Sequence, residues 1–448
     1  MAVTGLGMAK SAPALEAVAE EAWPAPKGEP RLREFALTAA EFDWPLMEDT
    51  VVRAWGYNGQ MPGPELRVRE GDRVRVTLTN ELPVPTTIHW HGVNVPNAMD
   101  GVAGLNQAPV DPGASFVYDF IATPAGTRWY HSHTDPALQV PIGLYGVLIV
   151  EPRVTVETYD RDDTYVLAEW DAELTPAVAA GTASRGPGDR TLRGGELGSD
   201  YFLMNGKMHG AVPPIVVKTG ERVLIRLLNA GSLPHAFHTH GHSFQIVATD
   251  GNPVPAAGRW TKDTVLIGPS ERYDLALVAD NPGVWMVHCH MEHHMANGMM
   301  TLLAYEGYKP TGPVADFYDA APADATPTVP GHDGGDMPPG MAMDTPTAAP
   351  TSVPSATPAD ATTGPTATVS MVDDRFVPNG LAVAIGTTVT WTNNGQDWHS
   401  IASFDGSFES DRISPGESYS HRFDEAGTYQ YVCKHHFMQG MTGAITVS

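Results

Sequence analysis

The chain has 448 residues, 27 basic against 52 acidic side chains, and a formal net charge of −25 at pH 7. That length predicts two to four domains, and the charge excludes nucleic acid as a partner, because gripping phosphate needs a basic face. No apolar run reaches the roughly 18 residues that a transmembrane helix needs, so no membrane span is expected.

In chain order, residues 1–32 read as an N-terminal extension without the charged start and apolar core of a secretion signal. Residues 33–152 form a first unit that closes on the apolar run Gly146-Val-Leu-Ile-Val-Glu-Pro152, and residues 153–310 form a second. Residues 311–365 are rich in Pro, Ala, Thr and Asp and poor in large apolar side chains, which describes a flexible linker. Within it lie His332, Met337, Met341 and Met343. Thioethers are soft ligands suited to Cu(I); the plainer reading is low-complexity linker with chance methionines. Residues 366–448 form a third unit. Alternating runs such as Arg73-Val-Arg-Val-Thr-Leu78 and Thr388-Val-Thr-Trp-Thr392, punctuated by 45 glycines and 39 prolines, read as half-buried strands. Helical periodicity is scarce, so the fold class is all-β, built from sandwiches or barrels.

The units share an internal repeat written in histidine. Residues 89–91 read His-Trp-His, 131–133 His-Ser-His, 238–240 His-Thr-His and 288–290 His-Cys-His. Gly71 to Asn80 and Gly220 to Asn229 are matching segments, and His89 and His238 each follow nine residues after the Asn. Gly126 precedes His131 by five residues, as Gly283 precedes His288. In the third unit, Gly386 to Asn393 is the same element two residues shorter, and His399 lies six after Asn393, as His235 lies six after Asn229. Gly427 precedes Cys433 by six residues, as Gly283 precedes Cys289. The place of Cys289 is taken by Ser132 in the first unit, and that of His235 by Thr86.

On a strand, neighbouring side chains point to opposite faces, so each H-x-H pair aims two imidazoles one way and the middle residue the other. Neutral imidazole suits copper, zinc, iron and nickel. Eight histidines in symmetric pairs exceed what a three- or four-ligand zinc site uses, and Cys289 and Cys433 narrow the metal to copper. Both cysteines fall in metal sites on this reading, so no disulfide is expected. His399, Cys433, His436 and Met441 form a His₂Cys set with a distant Met, the donor set of a blue-copper centre. The spacing of the last three resembles plastocyanin; His435 and Met438 are the rival ligands.

His288-Cys-His-Met-Glu-His-His294-Met-Ala-Asn-Gly-Met299 resembles the last signature of the multicopper oxidase family, and His235-Ala-Phe-His-Thr-His-Gly-His242 its third. The resemblance covers residues 50–305 and takes in all four H-x-H pairs. It implies three cupredoxin-like Greek-key β-sandwich domains in tandem. It also implies a type 1 copper on His235, Cys289, His294 and Met299, with His293 as the rival to His294. It implies a type 2 copper on His89 and His238, and a type 3 pair on His91, His131, His133, His240, His288 and His290. The repeat supports this division independently, since the two halves of each set are equivalent positions. With the third unit, each chain holds two type 1, one type 2 and two type 3 coppers.

By the same resemblance, a reductant feeds single electrons to type 1 copper, they pass through Cys289 and its flanking histidines, and four of them reduce O2 to water. Asp100, in Asn97-Ala-Met-Asp-Gly101, resembles the family's acidic residue beside the cluster and is the candidate proton relay; a turn-forming Asp-Gly is the alternative. His242 is expected to steady its loop, and His209 and His421 to be structural or exposed. The chain resembles two-domain small laccases, in which the first unit of one subunit meets the second unit of the next, so a homotrimer is expected. The third unit lacks any H-x-H pair and reads as a tethered electron port. The donor is a phenol, Cu(I) or another small reductant, or a redox protein. Periplasmic or extracellular residence is expected of such chemistry. Copper nitrite reductase is the nearest rival, but it resembles a pattern with the type 1 cysteine in unit one. A non-catalytic copper store or carrier is the other rival, and storage has no use for a His-Cys-His wire.

Overall fold

The computed structural model describes residues 31–47, 50–155, 157–183, 199–309, 364–372, 375–403, 406–434, 436 and 441–448. The methionine-bearing linker and nearly all of the N-terminal extension lie outside these residues, as do His435 and Met438.

Strands dominate, and the α-helices among the described residues are single turns: Pro136–Gln139, Pro176–Ala179 and Glu292–Ala296. Six sheets form three sandwiches. In the first, one four-stranded sheet runs Thr50–Tyr57, Leu32–Met47, Arg73–Asn80, Ser115–Ile121, and the other runs Gly63–Arg69, Tyr145–Glu151, Gly126–His131, His89–His91. Seven-stranded and five-stranded sheets make the second sandwich, and two four-stranded sheets make the third. Each pair of sheets closes over its own core, around Trp55 and Trp90, around Phe237 and Phe244, and around Trp391 and Tyr431. The predicted alternation is visible in Arg73–Asn80, where Val74, Val76, Leu78 and Asn80 are buried between partly exposed neighbours. The fold is therefore all-β with cupredoxin-like sandwiches.

The repeated Asn of the sequence has a structural cause. Asn80, Asn229 and Asn393 are each fully buried. The Asn80 amide donates to the carbonyls of Val84 and Val110, Asn229 to Leu233 and Ile267, and Asn393 to Asp397 and Ile413. Their carbonyl oxygens accept from the backbone of Leu82, Gly231 and Gly395. Only an amide side chain offers two donors and an acceptor at that length. The same knot ties the end of one strand to the loop leading to His235 in the second unit and His399 in the third.

The first and second sandwiches are tightly joined. Leu203, Met208 and Leu228 of the second belong to the core of the first. Arg226 reaches Asp162 at 2.6 Å and Asp274 at 3.3 Å, Arg67 meets the same Asp162 at 3.0 Å, and Thr127 donates to Asp274 at 2.6 Å. Gly126 sits at φ +131°, and a Cβ there would lie 2.0 Å from the Gly251 carbonyl, so the backbones of the two units touch where only glycine fits. Among the described residues, no helix is long and apolar enough to cross a membrane.

The Asn knots lead to a stability prediction. Asn229→Leu strands the Leu233 and Ile267 carbonyls and the Gly231 N–H, at about 1–3 kcal/mol per unpaired buried group. Denaturant unfolding should show a clearly lowered midpoint, and an unchanged midpoint would contradict the role given to Asn229.

Candidate metal centre

The H-x-H pairs lie on or at the ends of paired strands: His89 and His91 within one, and His131, His238 and His288 on strands with His133, His240 and His290 just beyond their ends. In the first unit His89 faces His131, Trp90 faces Tyr130 and His91 faces Trp129. Trp90 and Tyr130 are fully buried, so the core takes the middle residue and turns the imidazoles of His89 and His91 outward together. The ring centroid of His89 lies 5.6, 5.2 and 5.4 Å from those of His91, His131 and His133. In the second unit Phe237 faces Cys289 and His238 faces His288. The His238 ring lies 5.0, 5.5 and 5.2 Å from the rings of His240, His288 and His290. In each unit a trio has its nitrogens within 4.8 Å of one another: His89, His91 and His131 in one, His238, His240 and His288 in the other. His133 and His290 stand at the rim of their quartets. Among the described residues, no ring of one quartet contacts a ring of the other.

Hydrogen bonds fix which nitrogen is available. His89 Nδ1 meets the Asp100 carbonyl at 2.7 Å, His131 Nδ1 that of Ser132 at 2.8 Å, His238 Nδ1 that of Asp263 at 2.9 Å and His288 Nδ1 that of Cys289 at 2.9 Å. A carbonyl only accepts, so Nδ1 carries the proton in each ring and Nε2 keeps its lone pair for a metal. The Nε2 atoms of His240 and His288 face each other at 3.0 Å. Burial, with Arg272, His89 and Arg128 nearby, lowers His91 to about 4. Burial likewise lowers His131 to about 3 and His288 to about 4. These rings are neutral donors at neutral pH.

The cysteine sites use the other nitrogen. His235, Cys289 and His294 form one buried trio, and His399, Cys433 and the half-buried His436 form another. His235 Nδ1 lies 3.1 Å from His294 Nδ1, and Cys289 Sγ lies 3.4 Å from His294 Nδ1. In the third unit the corresponding distances are 2.9 Å and 3.4 Å. So His294 turns toward the thiol, and His293 instead packs edge-on against Phe202. Burial alone pushes the Cys433 thiol up, but hydrogen bonds from His399 and His436 bring it to about 6. Backbone N–H groups of Ala236 and Ser400 also donate to the two sulfurs.

One backbone pattern recurs in all three units. Cys289 N–H donates to the Met299 carbonyl and Met299 N–H to that of His294; Cys433, Met441 and His436 repeat it. In the first unit the same bonds link Ser132, Leu144 and Gln139. Gln139 thus occupies the place of His294, and Leu144 that of Met299. Ser132 and Thr86 hydroxyls donate to Gln139 Oε1 at 2.6 and 2.8 Å, and all three residues are buried. Sequence offsets alone missed Gln139, because its loop is longer than that of Cys289.

Asp100 sits beside the first quartet, with its Oδ1 3.4 Å from His89 Nδ1 and its Oδ2 accepting from Asn106. Asp263, unremarked in the sequence, is its counterpart near His238 and also holds the Thr264 hydroxyl. His242 bonds the His240 carbonyl and the Tyr305 hydroxyl, which steadies the loop. His209 is half-buried at φ +42°, and His421 stacks on Phe408.

Imidazole quartets and His₂Cys trios on two-sheet sandwiches define a cupredoxin-type copper protein, since thiolate, thioether and imidazole together select copper. Family models for multicopper oxidase match residues 40–155 and 182–307, and the plastocyanin/azurin copper-binding model matches 366–448. A blue copper oxidase structure from Nitrosomonas europaea is 38% identical, covering 62% of this chain and 86% of its own, with TM-score 0.55. The multicopper oxidase MmcO of Mycobacterium tuberculosis is 34% identical over 250 residues, 51% of this chain and 48% of its own length. Laccase-15 of Oryza sativa is 35% identical over 240 residues, 50% of this chain and 38% of its own. The chain thus spans about half or less of the length of these curated relatives. A copper nitrite reductase from Nitrosomonas europaea shares the fold at 24% identity and TM-score 0.52. The chain belongs to the multicopper oxidase family.

The lowered histidines make a pH prediction. Unfolded His91, His131 and His288 take up protons near pH 6.5, whereas the folded rings do so only near 3 to 4. The unfolded state therefore binds more protons between those values, and stability falls as pH falls. The melting temperature of copper-free protein should drop between pH 7 and pH 4.5, and exchanging the three histidines for Gln should flatten the drop. A melting temperature independent of pH across this window would refute it.

Proposed function

We propose that the chain is a laccase-like oxidase that couples one-electron oxidation of a reductant to four-electron reduction of O2 to water. The observation that carries this reading is the placement of Cys289, the last residue of the strand Val284–Cys289, between His288 and His290, with the thiol buried in the second-unit core beside His235 and His294 and the His288 ring against those of His238 and His240. Copper, once bound, supplies the one-electron steps at the cysteine sites and the reduction of O2 at the histidine cluster.

The residues divide the work. His235, Cys289, His294 and Met299 hold the type 1 ion of the second unit, and His399, Cys433, His436 and Met441 that of the third. His89 and His238 hold a type 2 ion, and His91, His131, His133, His240, His288 and His290 a type 3 pair. The Cys289 backbone joins the two kinds of site in three consecutive residues. Asp100, held by Asn106 against the His89 ring, passes protons inward from its partly exposed carboxylate. Residues 33–152, 153–310 and 366–448 are the corresponding domains, with 311–365 tethering the third as an electron port. The donor is a phenol, Cu(I) or another small reductant, or a redox protein, and the site of action is periplasmic or extracellular.

Each chain carries two half-clusters that do not meet, so the cluster is completed between chains, as a ring of three does. Chains with His91 and His131 replaced by Ala, and chains with His240 and His288 replaced by Ala, should each fail to consume O2. Co-assembled, they should regain part of the activity, since intact halves meet at mixed interfaces. No recovery on mixing would refute the shared cluster. The third-unit site is tested by Cys433→Ser, which should spare oxidation of a small phenol and slow a protein donor severalfold. Equal loss with both donors would reject the port. Comparing phenol, Cu(I) and nitrite as reactants on copper-loaded protein separates the oxidase from the nitrite reductase, and copper release without O2 uptake would mark a store.

A further inference from the structure

We propose that Glu169 is a positioning residue that sets the redox potential of the second-unit copper by holding the remote ring proton of His235. The proposal rests on reading His235, Cys289, His294 and Met299 as a copper site.

His235 is fully buried. Its Nδ1 faces His294 and the thiol, and its Nε2 points the opposite way, 2.7 Å from Glu169 Oε1. Glu169 comes from the strand Arg161–Trp170, and its side chain is 9% exposed. It accepts two further hydrogen bonds, from Ser232 N–H at 2.8 Å and Leu233 N–H at 3.2 Å. Both oxygens act as acceptors, the role of a carboxylate. The backbone is shaped around this group: a Cβ on Gly231 would lie 2.3 Å from Glu169 Oε1. The carboxylate is therefore built into the loop that delivers His235.

Among the described residues this contact is seen in the second unit alone; the equivalent position of the third, Asp373, lies outside them. Leu167 is in register with Asn229, and Ala39 with Asn80, so Glu169 and Glu41 are equivalent positions. In the first unit, where Thr86 replaces the histidine, Glu41 bonds Arg53 and Trp55 instead. In the third unit His399 Nε2 is buried with no hydrogen-bond partner among the described residues. A carboxylate that accepts the ring proton of a metal-bound imidazole strengthens that imidazole as a donor. Its negative charge in a buried place also favours the higher charge state of the ion. Both effects favour Cu(II) over Cu(I) and lower the potential of the site, without touching the metal.

The test reads the potential of one site. In a Cys433→Ser background, which removes the third-unit thiolate, the thiolate-to-copper absorption reports the second unit alone. Glu169→Gln should keep that absorption and weaken the preference for Cu(II) about tenfold, a rise of about 59 mV for a one-electron couple. Glu169→Asp, which keeps the charge, should move it by less than half as much. An unchanged potential in the Gln variant with its absorption intact overturns the proposal. If the Gln variant does not hold copper, the unaltered Cu(I)-loaded protein decides: the His235 Nε2 proton should be protected from solvent exchange, and a freely exchanging proton overturns it. Absence of thiolate absorption in the Cys433→Ser parent would instead strike down the copper site on which the proposal rests.

Discussion

The metal centre depends on the alternation of side chains along paired strands. Because neighbouring residues face opposite sides, one three-residue stretch presents two imidazoles outward and a thiol inward. A slip of one residue would reverse every side chain and put the thiol on the outer face. The register is pinned from both sides: Phe237 faces Cys289 in the core, and Trp90 faces Tyr130 in the first unit. These large buried side chains make the slipped arrangement costly, so the core's packing energy holds the donor geometry in place before any metal arrives. Fixed donors also keep reorganisation small when an ion changes charge.

Burial has a second consequence. An imidazole withdrawn from water resists protonation, and Arg272 and Arg128 beside His91 add to the effect. His91, His131 and His288 are therefore kept ready as neutral donors, at the cost of stability in acid. The carbonyls that accept from Nδ1 of His89, His131, His238 and His288 then select Nε2 as the metal-facing atom. At the cysteine sites the assignment is reversed: the rings of His235 and His294, and of His399 and His436, face each other through Nδ1. The two kinds of proposed site differ in ring tautomer as well as in ligand identity.

Much of this was legible in the sequence because it is periodic. Period-two alternation marked the strands, and constant offsets from Asn80, Asn229 and Asn393, and from Gly126, Gly283 and Gly427, placed the histidines and cysteines. The purpose of those asparagines was not legible, since a buried amide bonding two carbonyls looks in sequence like any turn residue. Gln139 escaped because the loop after Ser132 is two residues longer than that after Cys289, which breaks the offset. Glu169 and Asp263 escaped for another reason: each reaches its histidine from a distant segment, 66 and 25 residues away. Contacts between segments far apart in the chain leave no local spacing to read. The choice of His294 over His293 lay between: spacing favoured one, and the turn of helix at Glu292–Ala296 puts that ring on the thiol side.

The first unit shows what the scaffold does when the thiolate is absent. Thr86, Ser132 and Gln139 fill the equivalent place with a closed set of hydrogen bonds, and Gln139 Nε2 donates to the Pro85 carbonyl at 3.0 Å. Hydroxyl and amide are hard donors, and here their capacity is already met internally, so nothing is left to draw a soft metal ion. Leaving the three polar groups buried but unpaired would cost about 1–3 kcal/mol each, which is why the substitutions form a mutually satisfied set. The consequence is directional. A cluster assembled from one first-unit half and one second-unit half has a thiolate on one side only. On the function proposed above, electrons would reach such a cluster through Cys289 alone, and the His89 side, with Asp100 partly exposed, would be left for protons.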